Sequence, residues 1–154
     1  MIYMRRAGPD GMEIKVRELE RGDIWNGFLE TLDILKPASG ISREKAEEVF
    51  RTIDSNPDHI VMVAETEGRI VGTASMFIDQ KFIHDGGRVA HLEDTAVLEK
   101  YQKLGIGDML MDALLKISIE KKCYKTVLNC PDHIVPFHLR RGFRIDMNNM
   151  RYDH

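Results

Sequence analysis

The 154-residue sequence lacks the features that mark several special classes of protein. It has only two cysteines, Cys123 and Cys130, so neither a disulfide framework nor a zinc site is indicated. No apolar run approaches the length of a membrane span, and no secretory signal pattern opens the chain. The formal net charge is −3, so the chain lacks the positive charge that attracts nucleic acid. The six histidines are not spaced as metal ligands usually are. We expect a cytoplasmic protein, or one of an intracellular organelle, without metal, nucleic-acid or membrane partners.

What the sequence does contain is ordinary for one globular domain. Hydrophobic residues make up 43% and charged residues 31% of the chain, and this length buries roughly 70% of the unfolded surface. The first twelve residues contain Arg5-Arg6 and the run Gly8-Pro9-Asp10-Gly11. We expect residues 1–12 to be a flexible leader, partly foreign or an alternative start, and residues 13–154 to form a single domain.

Hydrophobic spacing predicts ten elements after the leader. Ile14 and Val16 alternate with charged residues as in a strand, and Ser42 resembles the N-cap of a helix. The predicted strands are 13–18, 60–65, 69–78, 88–98, 125–130 and 143–152, and the predicted helices are 22–36, 43–55, 105–121 and 135–141. The order β-α-α-β-β-β-α-β-α-β indicates an α/β (α+β) fold with helices flanking a mixed, mostly antiparallel central sheet.

The loop before the third predicted helix is the most informative segment. A strand ends near Leu98, and Gln102-Lys103-Leu104-Gly105-Ile106-Gly107 opens the helix. Such a loop exposes backbone N–H groups at the positive end of the helix dipole, which suits a pyrophosphate. The spacing alone is equally compatible with a tight turn. No Gly-Lys-Ser/Thr follows, and Leu110 replaces the third glycine of a dinucleotide fingerprint, so two common nucleotide motifs are excluded.

A Gln/Arg-x-x-Gly-x-Gly/Ala loop between strand and helix resembles the acetyl-coenzyme A loop of GNAT-type acyltransferases. The whole chain resembles one member family more closely, the glucosamine-6-phosphate N-acetyltransferases. The segments that carry this resemblance are Phe28-Leu29-Glu30-Thr31-Leu32, Lys81-Phe82-Ile83, His91-Leu92-Glu93-Asp94, Cys123-Tyr124-Lys125, Val127-Leu128-Asn129-Cys130, Val135-Pro136-Phe137 with Gly142-Phe143, and Met150-Arg151-Tyr152. They extend over nearly all of residues 13–152, and they are specific as a set rather than singly.

The resemblance implies the GNAT fold, acetyl-coenzyme A as acyl donor, and direct transfer within a ternary complex, where proximity supplies much of the rate enhancement. The strand backbone would pair with the pantetheine arm, one of its N–H groups would polarise the thioester carbonyl, and the loop would hold the pyrophosphate. The implied donor-binding residues are Thr95, Ala96 and Val97 with Asp94, then Gln102, Lys103, Leu104, Gly105, Ile106, Gly107 and Asp108. An acid at Asp108 also simply favours a helix N-terminus. Arg140 or Arg141 would reach the 3′-phosphate.

The acceptor side departs from the family pattern. Asn129 stands where the family has an acid, Ile134 where it has Asn, and His138 where it has Tyr. Asn holds an amine but takes no proton, so proton removal would fall to Glu93, Asp94, His138 or water. Glu93 and Asp94 are adjacent on a strand, so we expect their side chains on opposite faces. His138 would stabilise or protonate the leaving thiolate, or it is a half-exposed helix residue without a role.

A sugar phosphate requires cations. The resemblance points to Arg151, contributed across a homodimer with exchanged C-terminal strands. Lys36, Lys81 and Arg88 are further candidates, beside Asn129 as a polar contact. The leading hypothesis is N-acetylation of glucosamine 6-phosphate in UDP-N-acetylglucosamine synthesis. Two alternatives stay open: a GNAT enzyme acting on another small amine, and a non-catalytic acyl-coenzyme A-binding module.

Overall fold

A single six-stranded sheet organises the chain, and the computed structural model describes all of residues 1–154. The strands are β1 (Ile2–Ala7), β2 (Glu13–Glu18), β3 (His59–Thr66), β4 (Arg69–Gln80), β5 (Arg88–Val97) and β6 (Cys123–Leu128), adjacent in that order. The helices are α1 (Phe28–Leu32), α2 (Arg43–Asp54), the single turn α3 (Ile83–Gly86), α4 (Ile106–Glu120) and α5 (Val135–Arg140). Neighbours from β1 to β5 are antiparallel, whereas β5 and β6 are parallel. The predicted fold class is confirmed.

Helices cover both faces of the central hairpin. Glu67 and Gly68, with φ of 51° and 72°, form a two-residue turn whose left-handed conformation suits the twist of β3 and β4. Both strands read as continuous apolar runs because α4 packs on one face while α1 and α2 pack on the other. Gly72 lets α4 approach closely, since a Cβ there would lie 2.9 Å from Ile106 Cγ2. This contact fixes where α4 begins.

The structure differs from the sequence prediction at both ends of the chain. Ile2–Ala7, expected within a leader, pair with β2 as an edge strand, and Tyr3 and Met4 pack against the core. The predicted final strand over residues 143–152 is wrong for the single chain, which has no regular structure after α5. A strand requires a neighbouring backbone to receive its hydrogen bonds, and no strand of this chain pairs with the C-terminal segment.

The first predicted helix is also interrupted. A 3-10 helix (Arg21–Trp25) precedes α1, and Gly27 between them has φ of 100°. The backbone turns there because Asn26 O accepts a hydrogen bond from Ile70 N at 3.0 Å, which brings the chain against β4. The Ser42 N-cap is confirmed, since its side chain accepts from Lys45 N at 3.2 Å. None of the helices combines the length and apolar character that crossing a membrane requires.

Candidate active site

The parallel strands β5 and β6 separate part of the way along their length. Paired residues run from Arg88 and Cys123 to Leu92 and Leu128, and no pair follows. The last part of β5 therefore pairs with β4 alone, and its other edge carries free backbone groups. An extended ligand can add to such an edge as if it were a strand.

A β-bulge lies at the point of separation. Ser75 pairs with Glu93 and Thr73 with Ala96, so that Asp94 and Thr95 lie opposite one residue of β4. Asp94 has φ of 49°, a left-handed conformation that is strained for a residue other than glycine. Glu93, Asp94 and Thr95 are all exposed. Strict alternation fails here, so the expectation of opposite faces for Glu93 and Asp94, which assumed a regular strand, is not supported.

A cavity of about 610 Å³ lies between the α1–α2 layer and strands β3–β5. Most of its lining is apolar, including Leu29, Phe50 and Val61. The ionisable groups among the lining residues are His59 and Asp94. The bulge residue Asp94 is therefore the one acidic residue of the cavity lining, which contains no lysine or arginine.

The loop before α4 forms a row of unsatisfied donors. Gly105, with φ of 77°, is the N-cap, and the first helical bond runs from Met109 N to Gly105 O at 3.1 Å. The backbone N–H groups of residues 103–108 donate to no acceptor within the protein. Gln102 Nε2 donates to Val97 O at 3.0 Å, which ties the loop to the end of β5. This geometry suits an anion with several oxygens.

Helix α5 packs beside the same loop. Phe137 Cζ lies 3.9 Å from the position that a Cβ on Gly107 would take. Arg141 lies over the Phe137 ring at 5.7 Å and donates to the carboxylates of Asp108 and Asp112. The Asp108 carboxylate is thus engaged by a guanidinium. Arg140, one residue earlier, is exposed and has no protein partner.

His138 is half-buried among aromatic rings. Phe137 and Phe143 meet its ring edge-on at centroid distances of 5.1 Å and 5.4 Å. Its Nδ1 is buried without a hydrogen-bond partner. Burial, followed by the nearby Arg141 charge, lowers the pKa of His138 below its ordinary value of 6.5. At pH 7 the imidazole is therefore neutral. It can donate its one N–H in a hydrogen bond, but it carries no extra proton to give to a leaving group.

Some of the sequence-predicted residues meet at the strand separation. Asn129 follows Leu128, the last paired residue of β6, just as Glu93 follows Leu92 on β5. Both are exposed. Glu93, Asp94 and Asn129 therefore lie where the two strands part, and the stretch of β5 that carries Glu93 and Asp94 leads into the glycine loop. Lys36 is exposed next to Pro37, which lines the cavity.

Three predicted substrate cations are not brought to this point. Lys81 pairs with Asp79, and Arg88 pairs with Asp58 and donates to Lys121 O at 3.2 Å. Arg88 begins β5 and lies roughly 16 Å of strand away from Glu93. Arg151 lies in the exposed C-terminal segment, where its Nε donates to Asp153 at 2.7 Å.

Sequence reasoning missed Arg6. Its Cζ lies 3.4 Å from the position that a Cβ on Gly105 would take, so the guanidinium rests against the glycine loop. The Arg5-Arg6 pair was visible, but nothing local relates it to a loop a hundred residues later. No group of three or more His, Cys, Asp or Glu residues is arranged to hold a metal ion.

Comparison with known proteins agrees with this geometry. Residues 26–143 match the acetyltransferase (GNAT) family. The chain is 33% identical over 140 residues to glucosamine 6-phosphate N-acetyltransferase 1 of Oryza sativa subsp. japonica, covering 89% of this chain and 85% of the relative. It is 34% identical over 147 residues to glucosamine 6-phosphate N-acetyltransferase of Trypanosoma brucei brucei, covering 94% and 98%. The crystal structure of glucosamine-6-phosphate N-acetyltransferase from Arabidopsis thaliana superposes with a TM-score of 0.88 at 29% identity, covering 91% of this chain and 97% of that one.

Proposed function

This chain belongs to the glucosamine-6-phosphate N-acetyltransferase family of GNAT acetyltransferases, and we propose that it transfers acetyl from acetyl-coenzyme A to the amine of glucosamine 6-phosphate. The product, N-acetylglucosamine 6-phosphate, would feed UDP-N-acetylglucosamine synthesis. We take residues 13–154 as one catalytic domain to which β1 adds an edge strand. The two free thiols, Cys123 and Cys130, support a cytoplasmic location.

The row of free N–H groups at residues 103–108 carries the proposal. These donors need acceptors, and two linked phosphates supply several oxygens at the positive end of the α4 dipole. The free edge of β5 from Asp94 to Val97 would pair with the pantetheine arm, whose thioester supplies the acyl group. Arg140, exposed at the end of α5, would meet the 3′-phosphate. The residues present therefore fit coenzyme A.

The acceptor groups near the bulge would complete direct transfer. The Asp94 carboxylate takes the proton that the amine must lose, while Asn129 holds the amine by hydrogen bonding. The amine nitrogen bonds to the acetyl carbon, the carbon–sulfur bond breaks, and the sulfur leaves as thiolate. Neutral His138 donates an N–H toward that sulfur, as the family's tyrosine hydroxyl would.

The sugar phosphate requires a cation that one chain does not place in the cavity. The segment after α5 exposes Ile145 and Met147 at 79%, Met150 at 88% and Tyr152 at 84%. An apolar, strand-patterned segment without a partner favours pairing with a second copy. We propose a homodimer that exchanges these segments, so that each Arg151 serves the other cavity, with Lys36 as a second cation.

Purified protein with acetyl-coenzyme A and a panel of amines tests the proposal. Thiol release is measured with glucosamine 6-phosphate, with glucosamine as the phosphate-free control, and with polyamines and amino acids. Turnover that requires the sugar phosphate supports the proposal. Turnover with another amine supports the alternative acceptor, which the mostly apolar cavity and Asn129 favour. Tight coenzyme A binding without turnover for any amine indicates a binding module.

A further inference from the structure

Beyond the glycine loop itself, we infer that Arg6 binds the pyrophosphate of the acyl donor, so that β1 contributes a side chain to the donor site. The inference rests on the proposed binding of coenzyme A at residues 103–108. It assigns a role to a residue at the opposite end of the chain from the catalytic groups.

The fold holds Arg6 in position. Arg6 pairs with Ile14 across β1 and β2, and Tyr3 and Met4 of the same strand pack against the core to which α4 belongs. Its guanidinium lies against Gly105, the residue whose left-handed conformation opens α4. The strand thus carries a cation directly to the donor loop.

No acidic group of the protein pairs with the guanidinium of Arg6. Arg5, its neighbour, pairs with Glu13 at 3.2 Å, whereas the exposed side chain of Arg6 makes no hydrogen bond or ion pair with a protein group. A guanidinium carries five donors and no acceptor, so it cannot satisfy the N–H groups of residues 103–108. The guanidinium and the free N–H groups are therefore neighbours at Gly105, and the α4 dipole adds its positive potential to the guanidinium charge. An anion would accept hydrogen bonds from both sets of donors and would balance their positive charge.

A pyrophosphate matches both sets of donors. Its oxygens accept from successive backbone N–H groups, and a guanidinium binds phosphate oxygens in a bidentate fork. Contact with Gly105, in the middle of the loop, places Arg6 at the pyrophosphate rather than at the 3′-phosphate, for which Arg140 is the candidate. Removal of Arg6 should therefore affect every ligand that carries the pyrophosphate.

A pair of adjacent variants tests the inference. Arg6→Met keeps the aliphatic stem and removes the charge, and Arg5→Met removes the same charge from the same strand. Because neighbouring strand residues point to opposite faces, only the first affects the loop. Dissociation constants are measured by calorimetry for coenzyme A, for dephospho-coenzyme A, which lacks the 3′-phosphate, and for pantetheine, which lacks all phosphates. Thermal melting checks that each variant is folded.

Arg6→Met should weaken coenzyme A and dephospho-coenzyme A equally, by about 10-fold or more, the usual effect of one hydrogen bond to a charged group. Pantetheine binding should not change, and Arg5→Met should alter no affinity by more than about 2-fold. Unchanged affinity in Arg6→Met, or weakening confined to coenzyme A, would overturn the inference.

A loop variant separates this inference from the proposed function. Gly107→Glu adds a carboxylate beside the free N–H groups, and Gly107→Gln adds nearly the same bulk without charge. If Gly107→Glu abolishes binding while Arg6→Met does not weaken it, the loop assignment stands and the role of Arg6 is wrong. If Gly107→Glu binds coenzyme A as tightly as Gly107→Gln and wild type, the loop assignment and the role of Arg6 are both wrong. The same holds if the wild-type protein does not bind coenzyme A.

Discussion

The proposed donor side and the proposed acceptor side of the site are built in different ways. The donor side uses backbone groups of one short stretch, from the free edge of β5 to the first turn of α4. The proposed acceptor side is a cavity lined by side chains of α1, α2 and three strands, to which our proposal adds α5 and the C-terminal segment of a second copy. Backbone N–H groups are present whatever the side chains are, and their arrangement depends mainly on where the glycines stand. A short glycine motif is therefore enough to predict such a site. The shape and polarity of a pocket lined by side chains change with each substitution.

The departures from the family pattern follow the same division. The three departures that we assign to the proposed acceptor side are Asn129, Ile134 and His138, whereas the glycine loop matches the pattern. The donor site should therefore fail only when charge or backbone conformation changes. The acceptor site should respond to single side chains. The predictions below test this contrast, from the largest expected effect to the smallest.

Gly105→Glu should break the donor side. Its carboxylate lies beside the free N–H groups and repels the pyrophosphate, which removes several charge-assisted hydrogen bonds of about 1.5–3 kcal/mol each, so coenzyme A affinity should fall roughly 1,000-fold or more. The left-handed strain of about 1–3 kcal/mol at this position lowers the stability of the folded variant. Calorimetric titration measures the loss. Gly22→Glu is the matched control, because Gly22 faces open space and has no positive φ. Normal affinity in a folded Gly105→Glu variant would remove the loop assignment.

Asp23→Ala should loosen the wall of the acceptor side. Asp23 is 5% exposed and accepts from Arg17 Nη1 at 2.6 Å and from Glu20 N at 2.8 Å. Its loss uncaps the 3-10 helix and leaves Arg17 with Glu65 as its one carboxylate partner, which should cost about 3 kcal/mol in urea unfolding. Glu48→Ala, which breaks an exposed pair with Lys45, should cost less than about 1 kcal/mol. Equal losses would show that Asp23 does not anchor the wall.

Asp94→Asn should lower kcat about 100-fold, the lower range for loss of general base catalysis. Coenzyme A affinity should stay near wild type, because the donor loop is unchanged. Glu93→Gln is the paired variant, and its kcat should fall less, since Asp94 is the carboxylate that lines the cavity. A larger fall in Glu93→Gln would transfer the role of base to Glu93.

His138→Ala should lower kcat about 10-fold, consistent with loss of one weak hydrogen bond to the leaving sulfur. Coenzyme A affinity should change less than kcat. His138→Tyr restores the hydroxyl of the family pattern and should recover much of the rate. If kcat is unchanged in His138→Ala, the ring serves packing between Phe137 and Phe143 alone.

The pH dependence of stability offers the smallest test. The pKa of His138 is lowered in the folded chain by burial first and by the Arg141 charge second. The unfolded chain therefore takes up a proton at higher pH than the folded chain. The stability that the neutral ring contributes is complete above about pH 6.5 and is lost as pH falls through the lower, folded-state pKa. Urea unfolding from pH 7.5 downward should show a steeper loss for wild type than for His138→Leu.

Several elements could be predicted because their causes are local. The turn at Glu67-Gly68, the Ser42 cap and the helix after Gly105 each follow from residues within a few positions. The bulge at Asp94 could not be predicted, since it depends on how β4 and β5 align. The strand at Ile2–Ala7 likewise depends on an edge of β2 to pair with.

The sequence by itself determined the fold class, the family and the glycine loop before α4, because apolar periodicity and glycine placement act over short distances along the chain. Tertiary structure alone decided that Asp94 lines a cavity, that Arg88 is held in an ion pair and that Arg6 meets Gly105. These facts join residues far apart in the chain. They result from how the sheet and helices pack, which no local pattern records.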